Sequence, residues 1–251
     1  MVTPLIYPDA RAMSVMRTEH NFIRTYTGRK FWPLTPKGDE LDIADIAHSL
    51  SLVCRFTGHT YCFYSVAEHS LHVSEKAAAL VFEAADRRHA GRPHEVVTLA
   101  REVALWGLLH DASEAYLCDV PSPLKHAPGI GQLYKQFEAQ LMEVIAAHFD
   151  LMPHMPSVVK DADRILLNTE ARDLMDVPDE DAGQWQFPGE RLTEHIYPMD
   201  AQRAEVEFLR RFEALTQARE AERAADKIGA ELEAEVIIAR ALAQTSRTGG
   251  R

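Results

Sequence analysis

The stretch Leu105-Trp106-Gly107-Leu108-Leu109-His110-Asp111-Ala112-Ser113-Glu114-Ala115 decides how this chain is read. Apolar residues run as a helix up to an adjacent imidazole and carboxylate. Burying a carboxylate is expensive unless something positive meets it. A divalent cation meets that need, because neutral imidazole and carboxylate are both good ligands. The alternative is that His110 and Asp111 satisfy each other or cap a helix end. The pair alone leaves both readings open.

Working outward, Ala67-Glu68-His69-Ser70-Leu71-His72 supplies two more imidazoles three residues apart, on neighbouring positions of one helix face. One is a candidate ligand and the other structural; the plain alternative is two half-buried histidines. Downstream, Val158-Val159-Lys160-Asp161-Ala162-Asp163-Arg164-Ile165-Leu166 offers two carboxylates in a helix. At ~100° per residue, Val159, Ala162 and Leu166 form one stripe, with Asp163 about 70° and Asp161 about 130° from its centre. Asp163 is therefore expected nearer the core and Asp161 nearer water.

The remaining pattern is helical. Ile43, Ile46, Ala47, Leu50 and Val53 follow the i, i+3, i+4, i+7 rule, and Gly58 ends that run. Ser65-Val66-Ala67-Glu68 matches a capping box, with Ser65 as cap rather than nucleophile and Glu68 reaching back. It opens a helix expected over Val66–Asp86, followed by a polar loop over Arg87–Pro93. Further helices are expected over Glu95–Ala115, Leu133–His148, Val158–Leu174 and Asp200–Gln244, the last with a break at Gly229. Asp176–Glu190 reads as a turn-rich loop and Thr245–Arg251 as a frayed end. The first 40 residues lack a sustained period and read as a packed arm with a short hairpin, in which Tyr26, Arg29, Phe31 and Trp32 serve packing, the alternative being that they cover a ligand. The fold class is all-α, divided into an N-terminal arm (1–42), a helical core (43–175) and a loop with a C-terminal helical extension (176–251).

Composition narrows the function. The 251 residues carry 27 Lys+Arg and 38 Asp+Glu, a formal net charge of −11. That balance excludes a sequence-independent grip on nucleic acid, which needs a basic surface, but not a small phosphorylated ligand. No apolar run reaches the roughly 18 residues of a membrane span, and the start lacks the pattern of a signal peptide. Cys54, Cys62 and Cys118 form no CxxC pair, and an odd count fits reduced thiols in the cytoplasm.

Taken in order, these motifs resemble the HD-domain metal-dependent phosphohydrolases, and more closely the small bacterial 5′-deoxynucleotidases among them. That group's Ser-Glu-His-Ser reads here Ala67-Glu68-His69-Ser70. Its His-Asp-Ala-Ser-Glu followed by Gly-Asp-Leu-Pro-Thr-Pro-Val-Lys reads His110-Asp111-Ala112-Ser113-Glu114, then Cys118-Asp119-Val120-Pro121-Ser122-Pro123-Leu124-Lys125. Its Val-Lys-x-Ala-Asp reads Val159-Lys160-Asp161-Ala162-Asp163. The match covers roughly residues 43 to 175, and the ordered set is far more specific than His-Asp alone.

The resemblance implies an HD-domain helical bundle. It implies one divalent ion (cobalt, manganese, zinc, iron or magnesium) on His69, His110, Asp111 and Asp163, with His72 structural. It implies Glu114 as the proton-handling residue, against the alternative of a surface carboxylate. Asp119 would accept from a 3′-hydroxyl, against the alternative of a turn residue. Arg55-Phe56 stands where the group has Arg-Trp, so base stacking survives while the indole N–H is lost. Arg55 would fork onto phosphate and Lys125 would contact it as a point charge; alone, either is a surface cation. The implied activity is removal of phosphate from deoxyribonucleoside 5′-monophosphates. The alternatives are a deoxynucleoside triphosphate hydrolase releasing tripolyphosphate and a nucleotide-binding regulator without turnover. The resemblance also implies a homodimer; the Ala-rich C-terminal helices, which lie outside the matched segment, are the candidate interface on their own sequence.

Overall fold

A computed structural model describes residues 17–85, 93–175, 177 and 189–248. Most of the loops expected at Arg87–Pro93 and Asp176–Glu190, and residues 249–251 of the expected frayed end, lie outside the described residues. The chain divides into two compact units, Met1–Phe212 and Glu213–Arg251.

The first unit is helical apart from one small hairpin in the arm. There β1 (Ile23–Arg24) pairs antiparallel with β2 (Lys30–Phe31), Ile23 opposite Phe31. Of the arm's aromatics, Phe31 is fully buried and stacks on Tyr116 at 4.0 Å, whereas Tyr26 stays largely exposed and stacks on His48 at 3.7 Å. Arg29 pairs with Asp42 at 2.9 Å, and the Trp32 indole donates to the Thr18 carbonyl.

Helix α1 (Ile43–Leu52) starts where the Asp42 side chain accepts from the Ala44 N–H, the expected role of an N-cap. Next, α2 (Val66–Ala85) begins where Ser65 Oγ accepts from the Glu68 N–H at 3.1 Å. Only that half of the capping box forms. The fully buried Glu68 carboxylate accepts from the Met199 N–H instead of reaching back.

The expected Glu95–Ala115 helix is two helices. α3 (Pro93–Leu109) stops one residue before His110, and α4 (Glu114–Leu117) follows tight turns whose bonds run from Ala112 N to Leu109 O and from Glu114 N to Asp111 O. The cause is local. His110 Nδ1 donates to the Gly107 carbonyl at 2.8 Å, the acceptor that Asp111 N–H would need to continue an α-helix. Glu114 therefore opens a separate helix and is not joined to His110 by a continuous α-helical turn.

Then come α5 (Ser122–Lys125), α6 (Ile130–His148) and α7 (Ser157–Leu174), the last opening after Pro156. The final helix, α8 (Ala201–Thr248), starts at Asp200, whose side chain accepts from the Arg203 N–H, and continues through Gly229 without the expected break. In the first unit α2 lies against α3 and α7, and α1 against α2 and α4. Ile46, Leu50, Leu105, Leu108, Leu109, Leu166 and Phe208 are fully buried there, each such side chain contributing about 1.5–3 kcal/mol. Among the described residues no helix is long and apolar enough to cross a membrane, and all three cysteines are free.

Candidate functional site

The site forms where α2, α3 and α7 come together. The first turn of α2 carries His69, fully buried. The end of α3 delivers His110 and Asp111, and the second turn of α7 delivers Asp163. The α2–α3 approach depends on Gly107: a Cβ there would lie 2.9 Å from the Ser74 Cα. Residues 53–55 pair with 64–66 through Arg55 N to Tyr64 O and Val66 N to Val53 O, which brings Arg55 alongside α2.

His69, His110 and Asp163 each offer a ligand atom within 4.8 Å of the others. Asp111 joins them: its Oδ2 lies 3.1 Å from His110 Nε2 and 3.7 Å from His69 Nε2, and Asp163 Oδ1 lies 3.2 Å from His69 Nε2. The angle arithmetic on α7 holds: Asp163 faces this cluster, whereas exposed Asp161 pairs with Arg164 at 2.7 Å. His72 stays outside it, with Nε2 3.8 Å from Glu68.

The imidazole hydrogen bonds assign the tautomers. A carbonyl only accepts, so His110 Nδ1 carries its proton toward Gly107; His69 Nδ1 likewise faces the Glu170 carboxylate at 2.5 Å. Both Nε2 atoms are then left buried without a hydrogen-bond partner. Two orphaned nitrogen lone pairs beside two carboxylates are a donor set that fits a divalent cation. Burial opposes a charge on His110, but Asp111 outweighs it and pushes the imidazole up to about 9. Burial would raise Asp111 and Asp163, yet the two histidines hold both below the usual carboxylate range.

Around this cluster stand the other expected residues. Glu114 is buried; Lys125 Nζ donates to its Oε1 at 3.1 Å, and its Oε2 has no partner. Burial first, then the charges of Asp111 and Asp119, push Glu114 well above the usual range. Burial likewise raises Asp119, which lies within electrostatic range of Arg55, Asp111, Lys125 and His69. Lys125 also donates to Glu138 at 3.0 Å. Arg55 is held by Glu170, with Nε and Nη2 each 3.1 Å from Oε2, while Nη1 lies 3.7 Å from Asp111. Its guanidinium carbon is 5.2 Å from the Phe56 ring centroid. Phe56 and Thr57 both adopt left-handed backbone, φ 54° and 56°, which costs non-glycine residues roughly 1–2 kcal/mol each. Such strain gathers at ligand sites.

Three contributors were not anticipated from the sequence: Glu170, Tyr64 and Glu138. Glu170 had a signal. It follows Asp163 by seven residues, within about 20° of the same helix direction. Tyr64 and Glu138 had none, since their roles arise from partners on other elements.

A family model described as 5′-deoxynucleotidase YfbR-like matches residues 42–176, more than half of the chain and inclusive of all four metal-ligand candidates. The chain is 35% identical over 203 residues to the uncharacterized protein YfdR of Escherichia coli (strain K12), covering 79% of this chain and 98% of that one. It is 34% identical over 152 residues to the uncharacterized protein RCAP_rcc00048 of Rhodobacter capsulatus, covering 59% and 68%. It is 33% identical over 117 residues to the 5′-deoxynucleotidase yfbR of Photorhabdus temperata, covering 40% of this chain and 56% of that protein. With its histidines and aspartates inside the matched segment, the chain belongs to the YfbR-like 5′-deoxynucleotidase family.

Proposed function

We propose that this protein is a metal-dependent HD-domain phosphohydrolase that removes phosphate from deoxyribonucleoside 5′-monophosphates. The observation that carries the reading is the pair of buried, unpartnered Nε2 atoms of His69 and His110 facing Asp111 and Asp163. These four residues would hold one divalent ion, which when bound supplies Lewis acidity, offsetting the charge of a phosphate ester and acidifying water.

The chain's own residues supply the rest. Glu114, whose proton burial and the carboxylates beside it hold more tightly than an ordinary carboxyl's, is suited to give that proton to the departing 5′ oxygen. Its unpartnered Oε2 is the atom free to do so. Arg55, oriented by Glu170, keeps donors for a phosphate oxygen. Asp119 accepts from the sugar hydroxyl, and Phe56 offers a ring face to the base.

Charge favours a monophosphate. The two cations beside the cluster are already paired, Arg55 with Glu170 and Asp111, Lys125 with Glu114 and Glu138. A triphosphate would need further positive charge beyond the α-phosphate, and Arg55 and Lys125 each already face two carboxylates. The names of the Photorhabdus and Vibrio relatives, all 5′-deoxynucleotidases, support the same substrate class. The protein loaded with Co²⁺ or Mn²⁺ is expected to release orthophosphate from deoxynucleoside monophosphates. Tripolyphosphate from triphosphates would establish the other hydrolase activity, and tight nucleotide binding without either product would make the protein a regulator.

A further inference from the structure

Glu170 is fully buried, and its carboxylate collects donors from three elements. His69 Nδ1 approaches at 2.5 Å, the Tyr64 hydroxyl at 3.0 Å, and Arg55 Nε and Nη2 at 3.1 Å. A dry carboxylate is costly to maintain, and an apolar side chain of similar volume often packs at no loss of stability. Stability alone therefore does not account for this group.

We propose that Glu170 is a positioning residue of the metal centre, acting through His69 and Arg55 while touching neither ion nor substrate. This rests on the metal-site reading above. By accepting from Nδ1–H, Glu170 fixes the ring orientation and tautomer in which Nε2 presents its lone pair toward Asp163 and Asp111. A carboxylate in that place also makes the imidazole a stronger ligand. The other oxygen grips Arg55 through two nitrogens and leaves Nη1 on the Asp111 side. One buried carboxylate thus aligns a ligand and a cation relative to each other. Tyr64 completes the shell, and its loss would leave the His69 contact intact.

The test is Co²⁺ affinity of the chelator-stripped full-length protein, read by visible absorption and competition, with cooperative thermal unfolding as the check of folding. Arg55→Met/Glu170→Met removes both members of the buried pair, so no charge is stranded. Its Co²⁺ affinity is expected to fall about 10–100-fold. Glu170→Gln keeps an acceptor for Nδ1–H but loses the charge, and its affinity should lie between the double variant and wild type. Tyr64→Phe should keep wild-type affinity. Wild-type affinity in the double variant would overturn the proposal, because a carboxylate present only to neutralise Arg55 becomes dispensable once Arg55 is gone. Failure of the unaltered protein to bind Co²⁺ would overturn the metal reading itself, and the proposal with it.

Discussion

At the residue scale the protonation of His110 would link metal binding at the proposed site to pH. Its imidazole is held up to about 9 by Asp111, above the unfolded value near 6.5. In the metal-free protein this pair contributes stability that is fully present below about pH 6.5 and lost as pH rises through about 9. Metal affinity runs the opposite way, since the ion must displace that proton. Affinity is expected to climb from pH 7 toward 9, with proton release on binding detectable by calorimetry in buffers of different ionisation enthalpy. A pH-independent affinity would mean that Nε2 of His110 is not a ligand. Glu114 and Asp111 should separate chemistry from binding. Glu114→Ala should lower kcat by about 10²–10⁴ with metal still bound, whereas Asp111→Ala should lose metal and turnover together. Loss of metal in Glu114→Ala would make Glu114 a ligand.

At the scale of elements, the approach of α2 and α3 sets the distance between the two histidines. A Cβ on residue 107 would meet the Ser74 Cα at 2.9 Å and the Ser74 N at 3.1 Å. Those are backbone atoms, so the helices must move apart. Gly107→Ala is expected to destabilise by about 1–3 kcal/mol and to weaken metal binding, because the Gly107 carbonyl also orients His110. Equal stability and metal affinity in that variant would contradict the close packing. The periodicity of apolar residues revealed most helices to within a turn, because it reports which face meets the core. It failed at the end of α3, where a side-chain hydrogen bond from His110 diverts the backbone and no apolar pattern records the event. Asp163 was legible through helical angle; Glu138 was not, because its meaning depends on Lys125 from another helix.

At the scale of the whole molecule, two features bear on function. The first is the net charge of −11, for which we expect no binding of duplex DNA in low-salt anisotropy measurements. Salt-sensitive binding there would reveal a basic surface that composition conceals. The second is the convergence of α2, α3 and α7 on four ligand candidates, which is the centre of the account. Its most direct measurement is an anomalous-scattering map from crystals grown with Co²⁺. The expected result is one peak ~2.0–2.2 Å from the Nε2 atoms of His69 and His110 and from oxygens of Asp111 and Asp163. A peak elsewhere, or these four side chains ordered and pointing apart with metal in excess, would contradict it.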